Sequence, residues 1–235
     1  MDFPRILQGG NDEKIDCLFK LHYTVHMCTA KIISKNNKIE NKQQRLAKII
    51  KLGQVIFHAS DLANLWQINN ANTLHTTLKR YARAGLLFRI YRGFYSLKPI
   101  AQLDPLLLGV KALHEFSYVS AETMLERAGV ISQSRNIITL ISSKSKQFSI
   151  GNYHYRSRKL AAKHLFNPAG ITEINGIKIA GVSRAAADIL CFNPRMHFDA
   201  GQLINWREVK KLQAEIGYKP IKDNYDYTKS KRSRA

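Results

Sequence analysis

Eight side chains between positions 73 and 92 have the types and spacing to grip a polyanion: Thr73, His75, Thr76, Lys79, Arg80, Arg83, Arg89 and Arg92. Hydroxyl and guanidinium groups present donors in the geometry that base edges and phosphate oxygens accept. On a helix, Thr73, Thr76, Arg80 and Arg83 share one side, with Lys79 at its edge and His75 on the flank. Arg89 and Arg92 follow on an alternating segment. The chemistry on offer is non-covalent: phosphate contacts that position and base contacts that specify.

Two other constellations invite reactive chemistry and fall short of it. Cys17, His22, His26 and Cys28 make Cys-x4-His-x3-His-x-Cys. Zinc needs four ligands converging as a tetrahedron, and this spacing fits no common zinc pattern. The histidines read as packed core or interface residues. Asp188 with Glu208-Val209-Lys210 imitates the acidic set that holds magnesium in some nucleases. The segment from Asn205 to Ile216 is patterned as a helix, however, and would send Glu208 and Lys210 in divergent directions. Asp188 is better placed to pair with Arg184, four residues earlier. No Gly-x-Ser-x-Gly elbow or phosphate-binding glycine loop occurs, and His58, His114, His154, His164 and His197 show no partner spacing. No catalytic residue, metal or cofactor is assigned.

The elements that must position the cationic set follow from local signals between Val55 and Pro99. Ser60 can cap a helix through Trp66, with Asp61 at the positive end of its dipole and Leu62, Ala63, Leu65 and Trp66 as its buried side. The polar run Gln67–Asn72 is the turn. A second helix is expected from about Thr73 to Ala84, with Leu74, Leu78, Tyr81 and Ala82 on its apolar face. Gly85 sits where a left-handed residue ends a helix. Leu86, Phe88 and Ile90 alternate with Leu87 and Arg89, Gly93 turns the chain, and Phe94-Tyr95-Ser96-Leu97 returns, with Lys98 beside the ribbon. Helix, turn, cationic helix and cationic ribbon make the plan of a winged helix-turn-helix.

Composition points to the same partner. The chain has 235 residues, 37 Lys and Arg against 17 Asp and Glu, and a formal net charge of +20. With 45% hydrophobic residues it has enough apolar material for a core. Nucleic acid is the expected partner. A membrane is not, because no apolar run approaches the roughly 20 residues a span needs. The stretch Ile15–Ile33 is interrupted by Lys20, His22, His26 and Lys31. The amino terminus lacks the basic start and apolar centre of a secretion signal. Three cysteines, Cys17, Cys28 and Cys191, suit a reducing cytoplasm.

The expected fold class is α+β: an N-terminal winged helix followed by a mixed α+β domain. Residues 1–40 form a leader, 41–99 the DNA-binding domain, 100–200 the α+β domain, and 201–235 a terminal helix and basic tail. A first helix is expected over Asn41–Leu52. Beyond Pro99, Leu106–Leu113 reads as a buried helix, and Ser120 as the cap of a helix ending at Gly129. Asn136–Ile141 and Tyr153–Arg156 read as strands, and Ile171–Ile174 and Ile177–Ile179 as a hairpin through Asn175-Gly176. Ser183–Leu190 reads as a helix. Lys229–Ala235 is a cationic tail suited to non-specific attraction.

The arrangement resembles the AbiEi-type antitoxins of abortive-infection, type IV toxin–antitoxin systems. Three segments carry the likeness: the helix-turn-helix running into Ala84–Tyr95, Tyr118–Leu125, which resembles the family's small-residue helix after the DNA-binding domain, and Gly181–Leu190, similar to the family's Glu-Arg-Ala-x-x-Asp helix. Ser183 stands where the family has Glu. The likeness covers about Asn41 to Pro194. It implies a repressor that binds inverted repeats in its own promoter. Its C-terminal domain would counter a nucleotidyltransferase-type toxin, usually without a stable complex. Two alternatives remain open at this point: a winged-helix regulator or replication protein without antitoxin activity, and a metal-dependent nuclease.

Overall fold

The computed structural model describes residues 42–132 and 136–220. The Cys17–His22–His26–Cys28 set, residues 1–40 and the tail Lys229–Ala235 lie outside the described residues. By contacts the chain divides into two units, Met1–Gly53 and Gln54–Ala235. The described part of the first is helix α1 (Lys42–Lys51), close to the expected Asn41–Leu52. Ile49 is buried, and Lys48 and Lys51 occupy the last turn, where cations suit the negative end of the dipole.

The second unit begins with β1 (Ile56–His58), α2 (Ala59–Trp66), α3 (Ala71–Arg83), β2 (Phe88–Tyr91) and β3 (Phe94–Ser96). It continues through α4 (Pro105–Leu113), β4 (Ser117–Val119), α5 (Glu122–Arg127), β5 (Ile137–Ser142), β6 (Lys146–Ile150) and β7 (Tyr153–Lys159). Last come α6 (Ala162–Leu165), β8 (Ile171–Ile174), β9 (Ile177–Ala180), α7 (Val182–Phe192) and α8 (Trp206–Ile216). The class is mixed α+β, with eight α-helices and two sheets among the described residues.

The smaller sheet has the order β1-β3-β2, all antiparallel. The ribbon expected from Leu86 to Leu97 therefore gains a third strand, because Ile56 and Phe57 pair with Ser96 and Tyr95. An irregularity between Arg89 and Tyr91 bends β2. The larger sheet runs β6-β7-β5-β4-β9-β8, with β7/β5 and β4/β9 parallel and the other pairs antiparallel. Its β8–β9 hairpin turns through Asn175 and Gly176, at φ 52° and 75°. A two-residue hairpin whose twist matches its strands needs positive φ at both positions, which Asn and Gly tolerate.

Period-2 alternation sends neighbouring strand residues into opposite cores. Val119 and Leu140 meet Leu106, Leu108 and Ala112 of α4 on one face, where Ile56 and Phe94 of the small sheet join them. Tyr118 and Ile141 meet α5, α7 and α8 on the other, through Leu125, Ile189, Val209 and Leu212. Each such aliphatic side chain, taken fully out of water, contributes about 1.5–3 kcal/mol. The seam at Pro99 is thus crossed by apolar packing.

Helix α4 lies so close to β7 that a side chain at Gly109 would overlap the Tyr155 ring. Tyr155 is buried, stacks on Phe148, and donates its hydroxyl hydrogen to the Pro105 carbonyl at 2.9 Å. It has nowhere to go. Gly109→Ala is expected to cost about 1–3 kcal/mol by overpacking, read as a lower urea midpoint at unchanged m-value.

Opposite α4, the motif Arg184-Ala-Ala-Ala-Asp188 forms a buried polar knot. Both charged side chains are fully inaccessible, with Arg184 Nε 2.9 Å from Asp188 Oδ1. The remaining guanidinium nitrogens donate to Tyr118 Oη and to the carbonyls of Asn167 and Ala169. Asp188 also accepts from Ser120 Oγ and Tyr218 Oη, each at 2.7 Å. Burial and the facing carboxylate push the Tyr118 and Tyr218 hydroxyls far above the usual phenol range, so both remain donors. The expected pairing of Asp188 with Arg184 is present. The expected Ser120 cap is not: its hydroxyl serves Asp188, and α5 starts at Glu122 behind Ala121, at φ 52°. Likewise Tyr118 and Val119 are strand, not helix, because they complete the sheet between β5 and β9.

Candidate nucleic-acid interface

Helix α3 begins two residues before the expected Thr73. Asn70 takes the cap position and its side chain accepts from the Thr73 backbone N–H at 3.1 Å, one of the donors a helix start leaves orphaned. The turn is therefore shorter than Gln67–Asn72, and Gln67 makes it by adopting φ 54°. Leu74, Leu78 and Tyr81 are buried, and Tyr81 stacks on Trp66 of α2 at 5.4 Å between centroids. That apolar stripe fixes the rotation of α3. Gly85, at φ 67°, then releases the chain into β2.

With that rotation set, Thr73, His75, Thr76, Lys79, Arg80 and Arg83 are all exposed on α3. Arg89 on β2 and Arg92 in the β2–β3 turn are exposed as well. Among the described residues none of these five Lys and Arg side chains is in an ion pair. The reason is visible in the sequence: from Leu62 to Leu103 the chain holds no Asp or Glu, yet carries Lys79, Arg80, Arg83, Arg89, Arg92 and Lys98. Phe88 and Tyr91 of β2 are also exposed, at 38% and 41%, and place aromatic surface beside the arginines.

The seat of α2 rests on residues the sequence does not single out as a set. Its cap is His58, not Ser60: the His58 backbone N–H donates to Asp61 Oδ2 at 3.1 Å, closing a capping box. The His58 ring stacks on His114 at 3.9 Å between centroids and its Nε2 lies 2.6 Å from the Lys111 carbonyl. His114 Nε2 lies 3.2 Å from Asp61 Oδ1. These contacts tie the start of α2 to the end of α4. Two histidines 56 positions apart carry no spacing signal, so only folding pairs them.

Burial, together with the adjoining His114 and Lys111, holds the His58 pKa below its ordinary 6.5, against opposing pulls from the Lys111 carbonyl and Asp61. The folded state thus prefers neutral His58, while the unfolded chain takes the proton first as pH falls. The stabilising contribution is whole above 6.5 and is lost as the solution is acidified below it. Thermal melts from about pH 7.5 to about pH 5.5 are expected to show a falling midpoint, with a shallower fall in His58→Gln. Equal slopes would place the titration elsewhere.

The acidic set that imitates a nuclease does not assemble. Glu208 accepts from Ser183 Oγ at 2.7 Å on the flank of α7, and Asp188 is sealed in the core. Asn205 caps α8 through the Glu208 N–H, as the helical pattern there requires. Among the described residues no helix is long and apolar enough to cross a membrane.

No protein-family model matches the chain, and no curated protein matches it. Among solved structures it is similar to the crystal structure of the RV2827C protein from Mycobacterium tuberculosis, at 12% identity and a TM-score of 0.43. That match covers 72% of this chain and 69% of the other.

Proposed function

We propose that α2, α3 and the β2–β3 ribbon form a winged helix-turn-helix, and that the protein is a DNA-binding repressor of its own operon. One observation carries this: an acid-free stretch from Leu62 to Leu103 whose cations and hydroxyls are exposed on one helix and one hairpin. A cationic helix and hairpin with no carboxylate in their own segment favour a polyanion, and an α-helix fits the major groove. Thr73, Thr76, Arg80 and Arg83 read base edges, His75 and Lys79 lie along the phosphates, and Arg89 and Arg92 hold the wing on the backbone or in the minor groove. The target is duplex DNA with inverted repeats.

The protein acts by binding, without catalysis, in the cytoplasm. It serves as the antitoxin of a type IV abortive-infection system directed against phage, countering a nucleotidyltransferase-type toxin. That half of the proposal is supported by the resemblance of Ala84–Tyr95, Tyr118–Leu125 and Gly181–Leu190 to AbiEi-type antitoxins.

Two experiments test the two halves. A gel-shift titration against the promoter fragment is expected to give a slope of log affinity on log salt near −4 to −5, for about five phosphates neutralised. A slope near zero would exclude the cationic interface. Co-expression with the adjacent reading frame is expected to rescue cells from its toxicity. Absence of toxicity would leave a regulator without antitoxin activity.

A further inference from the structure

The six-stranded sheet carries a second cationic site, remote in sequence from α3. Register places Arg156 of β7 beside Gln147 of β6 and Thr139 of β5, with Arg158 beside Ile141. Residues two apart on a strand share a face, so both guanidinium groups project on the side that bears α5 and α7. They lie past those helices, toward the β6 edge. Ser145, Lys146, Gln147, Arg156, Arg158 and Lys159 line a cavity of about 590 Å³ there, walled by Phe192 at the end of α7.

Four of the lining side chains are cations and none is a carboxylate. Among the described residues one acid forms an ion pair with a lining cation: Glu122, at the start of α5, contacts the Arg158 guanidinium from outside the lining. The Nε atoms of Arg156 and Arg158 are buried and have no hydrogen-bond partner among the described residues. Glu122 Oε2 is likewise buried without a partner, so the Nε atoms stay sealed at the base of the site, and an oxyanion in the cavity would meet the terminal guanidinium nitrogens. The cradle is already stiff. Ser142 and Ser157 hydroxyls both donate to the Lys144 carbonyl, at 2.9 and 2.7 Å, and the Lys159 N–H donates to Ser145 Oγ at 3.1 Å.

We propose that this cavity binds a phosphorylated small molecule, with its phosphates on the Arg156 and Arg158 forks. Lys146 and Lys159 add charge, the Gln147 amide offers a polar contact, and Phe192 supports Arg158, whose Cζ lies 5.3 Å over its ring. The volume falls in the range of small-ligand sites, roughly 300–1,000 Å³. Lys146 and Lys159 stand exposed at the rim, but the two arginines are recessed, the Arg158 side chain being 23% accessible, and recessed forks suit a small molecule better than a duplex backbone.

Calorimetric titration of the full chain with ATP, and separately with pyrophosphate, tests the site at about 0.15 M salt. Saturable one-to-one binding is expected, weakened by about tenfold or more in Arg156→Gln and more mildly in Lys159→Gln, whose exposed side chain spares the fold. The Arg80→Ala/Arg83→Ala variant is expected to bind ATP like wild type, which separates this site from the proposed DNA interface. Absence of saturable heat with either compound would overturn the proposal. So would wild-type affinity in both cleft variants, or displacement of ATP by duplex DNA from the Arg80→Ala/Arg83→Ala protein.

Discussion

Asp188→Ala is expected to lower the unfolding free energy by about 3–5 kcal/mol, enough to consume much of a domain's stability. The substitution strands a guanidinium that has no access to solvent, and it removes the acceptor for Ser120 and Tyr218 at the same time. Coulomb attraction is not the main term, since desolvating two charges costs about as much as their pairing returns. The cost comes from leaving one partner behind. Accordingly, Arg184→Met/Asp188→Leu, which removes both charges and keeps apolar volume, is expected to be more stable than Asp188→Ala alone. Tyr218→Phe, which deletes one donor, should cost about 1–2 kcal/mol. Urea denaturation of the set decides the matter: equal midpoints for Asp188→Ala and wild type would show that the knot contributes nothing to the fold. The same result would free the Arg-Ala-x-x-Asp motif for a direct role in toxin neutralisation. The geometry instead makes it a brace that fixes β4, α7 and Tyr218, two residues beyond α8.

Arg80→Ala/Arg83→Ala is expected to weaken binding to the promoter fragment by about 2–6 kcal/mol at fixed salt, since each arginine that no longer reaches its base costs about 1–3 kcal/mol. Both side chains are exposed, so stability should change by no more than about 0.5 kcal/mol. That pairing of a large fall in affinity with an unchanged melting curve is the signature of an interface. Lys79→Ala should behave differently, weakening all sequences alike and making the salt slope shallower by about one. A double variant that binds its promoter normally would remove α3 from the interface.

Much of the helical skeleton was legible because helices are local. The stripe Leu74, Leu78, Tyr81 gives the rotation of α3, and with it the outward direction of Arg80 and Arg83, without reference to any distant residue. The same holds for α4 and α8, whose Asp104 and Asn205 caps are local, while α7 reads as a helix from its run of small and aliphatic residues and is buried all round. The β8–β9 hairpin was legible for a similar reason, since Asn175-Gly176 sets its register locally. The eight candidate DNA-binding residues follow from type and period, and the structure leaves all of them exposed.

The short strands β1, β4 and β6 were not legible, although β2, β3, β8 and β9, equally short, were. β1, β4 and β6 acquire their state by pairing with β3, β5 and β7, and nothing within Ile56–His58 or Ser117–Val119 specifies a partner. Cap choice failed for a related reason. Ser60 and Ser120 are good caps by type, but Asp61 closes a box with the His58 backbone and Asp188 claims the Ser120 hydroxyl. Arg156 and Arg158 left one trace, their i, i+2 spacing on a strand, which becomes meaningful only once β7 is seen to lie near an uncovered edge of the sheet.

The sequence by itself determined where charge accumulates and how each amphipathic segment turns, because both depend on composition and on a period of a few residues. Tertiary structure alone decided which distant groups meet: His58 with His114, Tyr118 and Tyr218 with the Arg184–Asp188 pair, and four cations around one cavity. Those meetings depend on strand order and on which helix covers which face, and such long-range choices are settled by the whole core at once.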